Sequence, residues 1–204
     1  MRAPPATFSE VQVRARRVVA RTQTLFFVLL ACCVLIDHSR VVQNEGISFY
    51  GAHAPTVALA FIAYGVASVG LWRCAQLFYD ATLDRWVRRE LRVVAVVLIV
   101  LLVTPYNRGA LLNWTHMTAG VVGALAQLVT ASHLARRAAT TASRAALSVM
   151  LVGGVVAALS LPNWHFVYLL EGEIILEVGF AWSLWEWTKE ASASSTSTLR
   201  DEVV

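Results

Sequence analysis

Three carboxylates, Glu171, Glu173 and Glu177, stand inside a 24-residue stretch from Trp164 to Trp187 that is otherwise dominated by apolar and aromatic residues, with a fourth acid, Glu186, at its very end. An acid at the centre of such a segment costs roughly 2.5–3.5 kcal/mol to place in a bilayer, so it faces protein or water and needs a partner. Glu173 and Glu177 are four residues apart and share one helical face. Glu171 points about 200° away from Glu173 at 3.6 residues per turn. Two carboxylates on one face at low dielectric are expected to share a proton or a hydrogen bond. The expected partner of Glu173 is His116, the histidine set several residues inside an apolar run, with Arg40 and Arg108 as the alternatives.

The remaining chemistry-bearing residues gather near the ends of apolar runs. His38, His53, His116 and His165 belong to four different segments, and Glu45, Ser48 and Asn113 lie at the same level. Histidines and acids together could hold a zinc ion that activates water. Against that, no HxxxH or HExxH spacing exists, and no metal or other cofactor is expected outside this alternative. Ser48 lies in Glu45-Gly46-Ile47-Ser48-Phe49-Tyr50-Gly51, which lacks the GxSxG context of a nucleophile elbow. Gly46 and Gly51 instead suit a turn that folds back over the neighbouring helices and sets Ser48 and His53 near His116.

The elements that would position these residues follow from composition. Of 204 residues, 57% are hydrophobic and only 15% charged, against about 25% in an ordinary soluble domain. The class this implies is an all-α polytopic membrane protein. Six spans are expected at about 18–38, 54–72, 91–106, 111–132, 145–161 and 164–187, within a membrane domain of 18–188. Residues 1–17 form a basic N-terminus, and the Ser/Thr-rich tail 189–204 is expected to be disordered. The first apolar run has a basic flank like a signal peptide, but no small-x-small cleavage site follows Ile36, so it is read as an uncleaved span. The segment from Asp37 to His53 reads as a structured loop, with Pro55 opening the second span. Gly153 and Gly154 allow close helix contact in the fifth span.

Fifteen of the seventeen Lys and Arg fall in the N-terminus, the loops after spans two and four, and the tail, leaving Arg40 and Arg108 on the other side. The positive-inside rule then puts both termini in the cytoplasm and the histidine-rich level outside, in a plasma membrane. The net charge of +4 comes from these short arginine runs and is not a nucleic-acid surface. Cys32, Cys33 and Cys74 lack CxxC spacing and read as packing residues.

Three stretches carry a family resemblance: Glu45-Gly46-Ile47-Ser48 with Tyr50-Gly51, the turn Thr104-Pro105-Tyr106-Asn107, and Asn113 with His116. With the six-span layout they resemble the DRAM-like integral membrane proteins and their bacterial relatives of unknown function, over about residues 25–185. The resemblance implies six helices with both ends cytoplasmic and no particular chemistry. It does not account for Glu171, Glu173 and Glu177.

The functional expectation is a non-enzymatic membrane protein that binds a lipid or small amphiphile in an outward-facing cavity. Glu45, Ser48, His53, Asn113, His116, Glu171, Glu173 and Glu177 are its candidate binding residues. The alternatives are a metal-assisted membrane hydrolase using His38, His53, His116 and His165, and a proton-coupled carrier using Glu173 and Glu177. Membrane lipids are the expected partners.

Overall fold

The structure is a computed structural model that describes residues 8–77, 85–161 and 166–201. The Pro162-Asn163 turn, Trp164 and the candidate ligand His165 lie outside the described residues. Every regular element among the described residues is a helix. The six long ones are α1 (Phe8–Ile36), α4 (Val57–Leu77), α5 (Arg85–Val103), α6 (Ala110–Ala138), α7 (Thr141–Leu159) and α8 (Leu169–Asp201), and two short ones, α2 (Arg40–Glu45) and α3 (Ser48–Ala52), lie between α1 and α4. Four are long and apolar enough to cross a membrane: Val13–Ile36 of α1, and α4, α6 and α7. Arginines in the first turns of α5 and glutamates in α8 keep those two helices below the same standard of apolarity.

The helices form a ring. α1 packs on α4 and α8, α4 on α5, α5 on α6, and both α6 and α7 on α8. Ala139, in the left-handed region at φ 55°, ends α6, and the Thr140 side chain then accepts the Ser143 backbone N–H at 3.2 Å to start α7. A two-residue connection of this kind forces α6 and α7 to be antiparallel neighbours.

Small residues set the closest approach. A Cβ on Gly153 would lie 2.7 Å from the Gly172 carbonyl oxygen, and one on Gly179 would lie 2.7 Å from the Met150 backbone nitrogen. The α7–α8 seam is therefore backbone against backbone, the arrangement that lets dispersion hold helices together where the hydrophobic effect cannot. Gly154, grouped with Gly153 on sequence grounds, meets only leucine side chains at 3.5 and 3.9 Å.

Helix ends differ from the expected span ends. α1 starts at Phe8, so Arg14, Arg16 and Arg17 are helical, and the Arg16 guanidinium sits 4.3 Å over the Trp185 ring. No glycine or proline interrupts residues 8–36, so the helix runs past its apolar part. At the other end of the chain α8 continues to Asp201, through the stretch expected to be disordered. Extending an existing helix avoids the nucleation penalty, and the tail contains no glycine or proline to stop it.

Candidate functional site

One end of the ring is closed by the chain between α1 and α4. Val42, Ile47, Phe49 and Tyr50 of this segment point inward and are buried, while Val41 is exposed. Ser39 starts α2 by accepting the Val42 N–H, and Gly46 ends it at φ 70°, ψ −163°, a backbone conformation open in practice to glycine alone. That turn brings the chain directly over Glu173. The Ile47 backbone N–H donates to Glu173 Oε2 at 2.6 Å, and a Cβ on Gly46 would sit 2.8 Å from Glu173 Cδ.

Other contacts fix the same segment from several sides. Gln43 Nε2 donates to Glu171 Oε1 at 3.4 Å, and the Tyr106 hydroxyl, from the α5–α6 turn, donates to Glu45. Tyr50 donates its hydroxyl to the Asp37 carbonyl at 3.0 Å and accepts Thr56 Oγ1 on its own carbonyl at 3.0 Å. Burial pushes the Tyr50 hydroxyl up to about 12, so it remains a donor across the physiological range. The segment is a built cap on the bundle.

His116, buried two turns into α6, joins this cap through Ser48. Its Nδ1 lies 2.7 Å from the Thr104 carbonyl oxygen and its Nε2 lies 2.7 Å from Ser48 Oγ. A carbonyl oxygen can only accept, so Nδ1 carries the proton. In the neutral ring Nε2 is then the acceptor, and the Ser48 hydroxyl donates to it.

The expected pair of Glu173 with His116 is not made. The peptide of Ile47 and Ser48 stands between them, one residue bound to each, which uses the acceptor of Glu173 and the acceptor of His116 separately. One turn deeper, Glu177 Oε1 accepts from Gln127 Nε2 of α6 at 2.8 Å. Arg40 and Arg108, the alternative partners, are exposed.

The structure therefore brings Glu45, Ser48, His116, Glu171 and Glu173 to one cap, with Glu177 beneath it. Asn113 is exposed and His38 is exposed. His53, expected beside Ser48 and His116, stacks on Phe49 at 4.5 Å between ring centroids, with Nε2 3.9 Å from Asp37. Among the described residues no three His, Cys, Asp or Glu side chains come together as a metal site. The cavity beside Ser48 and His116 has a volume of about 10 Å³, room for a single water.

The opposite end carries a groove that motif reading did not single out. Trp72 of α4 and Arg85, Arg88, Arg89, Arg92, Val93, Val96 and Val97 of α5 line an open space of about 470 Å³. The Arg92 guanidinium lies 5.4 Å over the Trp72 ring, and Val96 and Trp72 are exposed. Four arginines on successive turns of one helix thus line the groove beside an apolar wall of valines and Trp72. The sequence signal was available in Arg85, Arg88, Arg89 and Arg92, whose spacing of three and four puts them near one face, but they served there only as topology markers. No protein-family model, curated protein or solved structure matches this chain.

Proposed function

We propose that the protein is a six-span integral membrane protein with both termini in the cytoplasm, resident in a plasma membrane, and that it binds an anionic lipid in the arginine groove. The groove between Trp72 and the first turns of α5 carries the reading: its volume of about 470 Å³ suits a headgroup and the start of a chain. The cap end, expected to hold the amphiphile, offers only about 10 Å³ beside Ser48 and His116, which moves the binding proposal to the arginine end.

Six spans are supported by the way the two less apolar helices hide their charges. Glu171, Glu173 and Glu177 of α8 turn to Gln43, Ile47 and Gln127. The α5 arginines lie in its first turns, where long side chains reach a headgroup layer while Val93 to Val103 stay in hydrocarbon. The charge count supports the orientation, with fifteen of seventeen Lys and Arg at the arginine end. The three stretches that carry the DRAM-like resemblance meet at the cap, through Tyr106 on Glu45 and His116 on Ser48 and the Thr104 carbonyl.

Orientation is tested by labelling intact cells with a membrane-impermeant maleimide, after replacing Cys32, Cys33 and Cys74. A cysteine at Asn44 or Arg108 reacts, and one at Arg88 or Arg136 does not; the reverse pattern inverts the topology. Lipid binding is tested by titrating phosphatidylglycerol and phosphatidylcholine into purified protein in mild detergent and reading binding by native mass spectrometry. The anionic lipid binds more tightly. Replacing Arg89 and Arg92 together with glutamine removes about 2 kcal/mol, a loss of about 30-fold for phosphatidylglycerol with little change for phosphatidylcholine. Equal binding of the two lipids by the unaltered protein sinks the reading.

A further inference from the structure

Ser48 and His116 are in the relation that activates a serine. A hydroxyl donates to the bare nitrogen of an imidazole at 2.7 Å, and the other ring nitrogen is held by an acceptor at 2.7 Å, the Thr104 carbonyl oxygen. Nucleophile, base and an orienting acceptor are three of the parts that an acyl-transfer site needs, whatever sequence context supplies them. Thr104 ends the α5 helix by donating its own hydroxyl to the Val100 carbonyl at 2.6 Å, which leaves its carbonyl oxygen fixed for His116.

The surroundings also suit the reaction. A water-sized cavity touches both Ser48 and His116, walled by Leu101, Leu102 and Pro105. Ser48 is only partly buried, and a Cβ on Gly51, one turn along α3, would meet nothing within 4 Å. The hydroxyl is therefore reached from its exposed side, while the enclosed cavity beside it admits only a water, the second reactant of a hydrolysis.

We propose that Ser48 is a catalytic nucleophile and His116 its general base, acting on the acyl ester of an aliphatic acid. Ser48 Oγ forms a bond to the ester carbonyl carbon while its proton passes to His116 Nε2. The carbon–alkoxide bond breaks, and the leaving alcohol takes that proton. Water then attacks the acyl-serine, gives its proton to Nε2, and the proton returns to Ser48 Oγ as the carboxylic acid departs. Thr104 is a positioning residue through its carbonyl oxygen.

The activity is independent of lipid binding at the arginine end, so the two can fail separately. The test exposes the full chain, purified in mild detergent, to an alkyl fluorophosphonate and locates the adduct by peptide mass. One adduct per chain on Ser48 is expected, and none in heat-unfolded protein. His116→Gln slows labelling at least 100-fold, in the range of a lost general base, while the circular dichroism melt establishes that the variant is folded. A p-nitrophenyl octanoate assay of the unaltered protein gives a burst of one nitrophenol per chain, absent in Ser48→Ala. Should folded, unaltered protein take no fluorophosphonate, or take it elsewhere than Ser48, the proposal is overturned, irrespective of how the variants fold.

Discussion

Gly172→Ala lowers the melting temperature of the detergent-solubilised protein by about 10 °C, although alanine is the better helix former. In an exposed helical position the same change would stabilise by about 0.5–1 kcal/mol. At Gly172 the added Cβ would lie 2.8 Å from the Ala157 Cα and 2.9 Å from the Gly153 carbonyl oxygen. Both are backbone atoms, so no side-chain rotation relieves the contact and α7 must move away from α8. Separation along the seam would also loosen the approach at Gly179 against Met150 and Ala146. Overpacking of this kind costs about 3 kcal/mol, equivalent to the shift stated for a chain of this length. Gly65→Ala is the control, because a Cβ there meets nothing within 4 Å. Its melt is unchanged or slightly raised. If the two variants melt alike, α7 and α8 do not pack through these glycines.

Gly46→Ala and Glu173→Ala each destabilise the protein, and together they destabilise it less than the sum. Gly46 sits at φ 70° and ψ −163°, where alanine is strained by about 1–3 kcal/mol, and its new Cβ would also press on the Glu173 carboxyl. Glu173→Ala leaves the buried Ile47 N–H without its acceptor, at a cost of about 1–3 kcal/mol. Once Glu173 is shortened the clash at position 46 disappears and only the backbone strain remains. The coupling should be about 1 kcal/mol or more, within the range for residues in contact. Glu173→Gln is mild on its own, because an amide oxygen can take the same N–H. Chemical unfolding of the two single variants and the double variant in detergent measures all three. Strict additivity would mean that the turn at Gly46 does not rest on Glu173, and the cap would lose its anchor.

Hydropathy and charge already outline the chain: apolar runs long enough for helices, interrupted by Arg85 to Arg92 and by Arg136 and Arg137, are properties of consecutive residues. They are legible without knowing where anything lies in space. Glycine carried some spatial information as well, since Gly153 could be expected at a close helix contact and is found there. The partners of the polar residues are another matter. Glu173 and Ile47 are 126 positions apart, and Ser48 and His116 are 68 apart. Whether they meet depends on the rotation of α8 and α6 about their axes and on the path of the chain after α1. A one-turn error in any of these moves a side chain by about 5 Å, more than a hydrogen bond can span. That is why pairing acids with the histidine of matching depth led to His116 for Glu173, while the folded chain inserts Ile47 and Ser48 between them. The sequence by itself determined the helical class and the asymmetric placement of charge, because both are local. Only the tertiary structure decided that a left-handed glycine turns the cap onto Glu173 and that Ser48 faces an oriented imidazole, because both are contacts between distant segments.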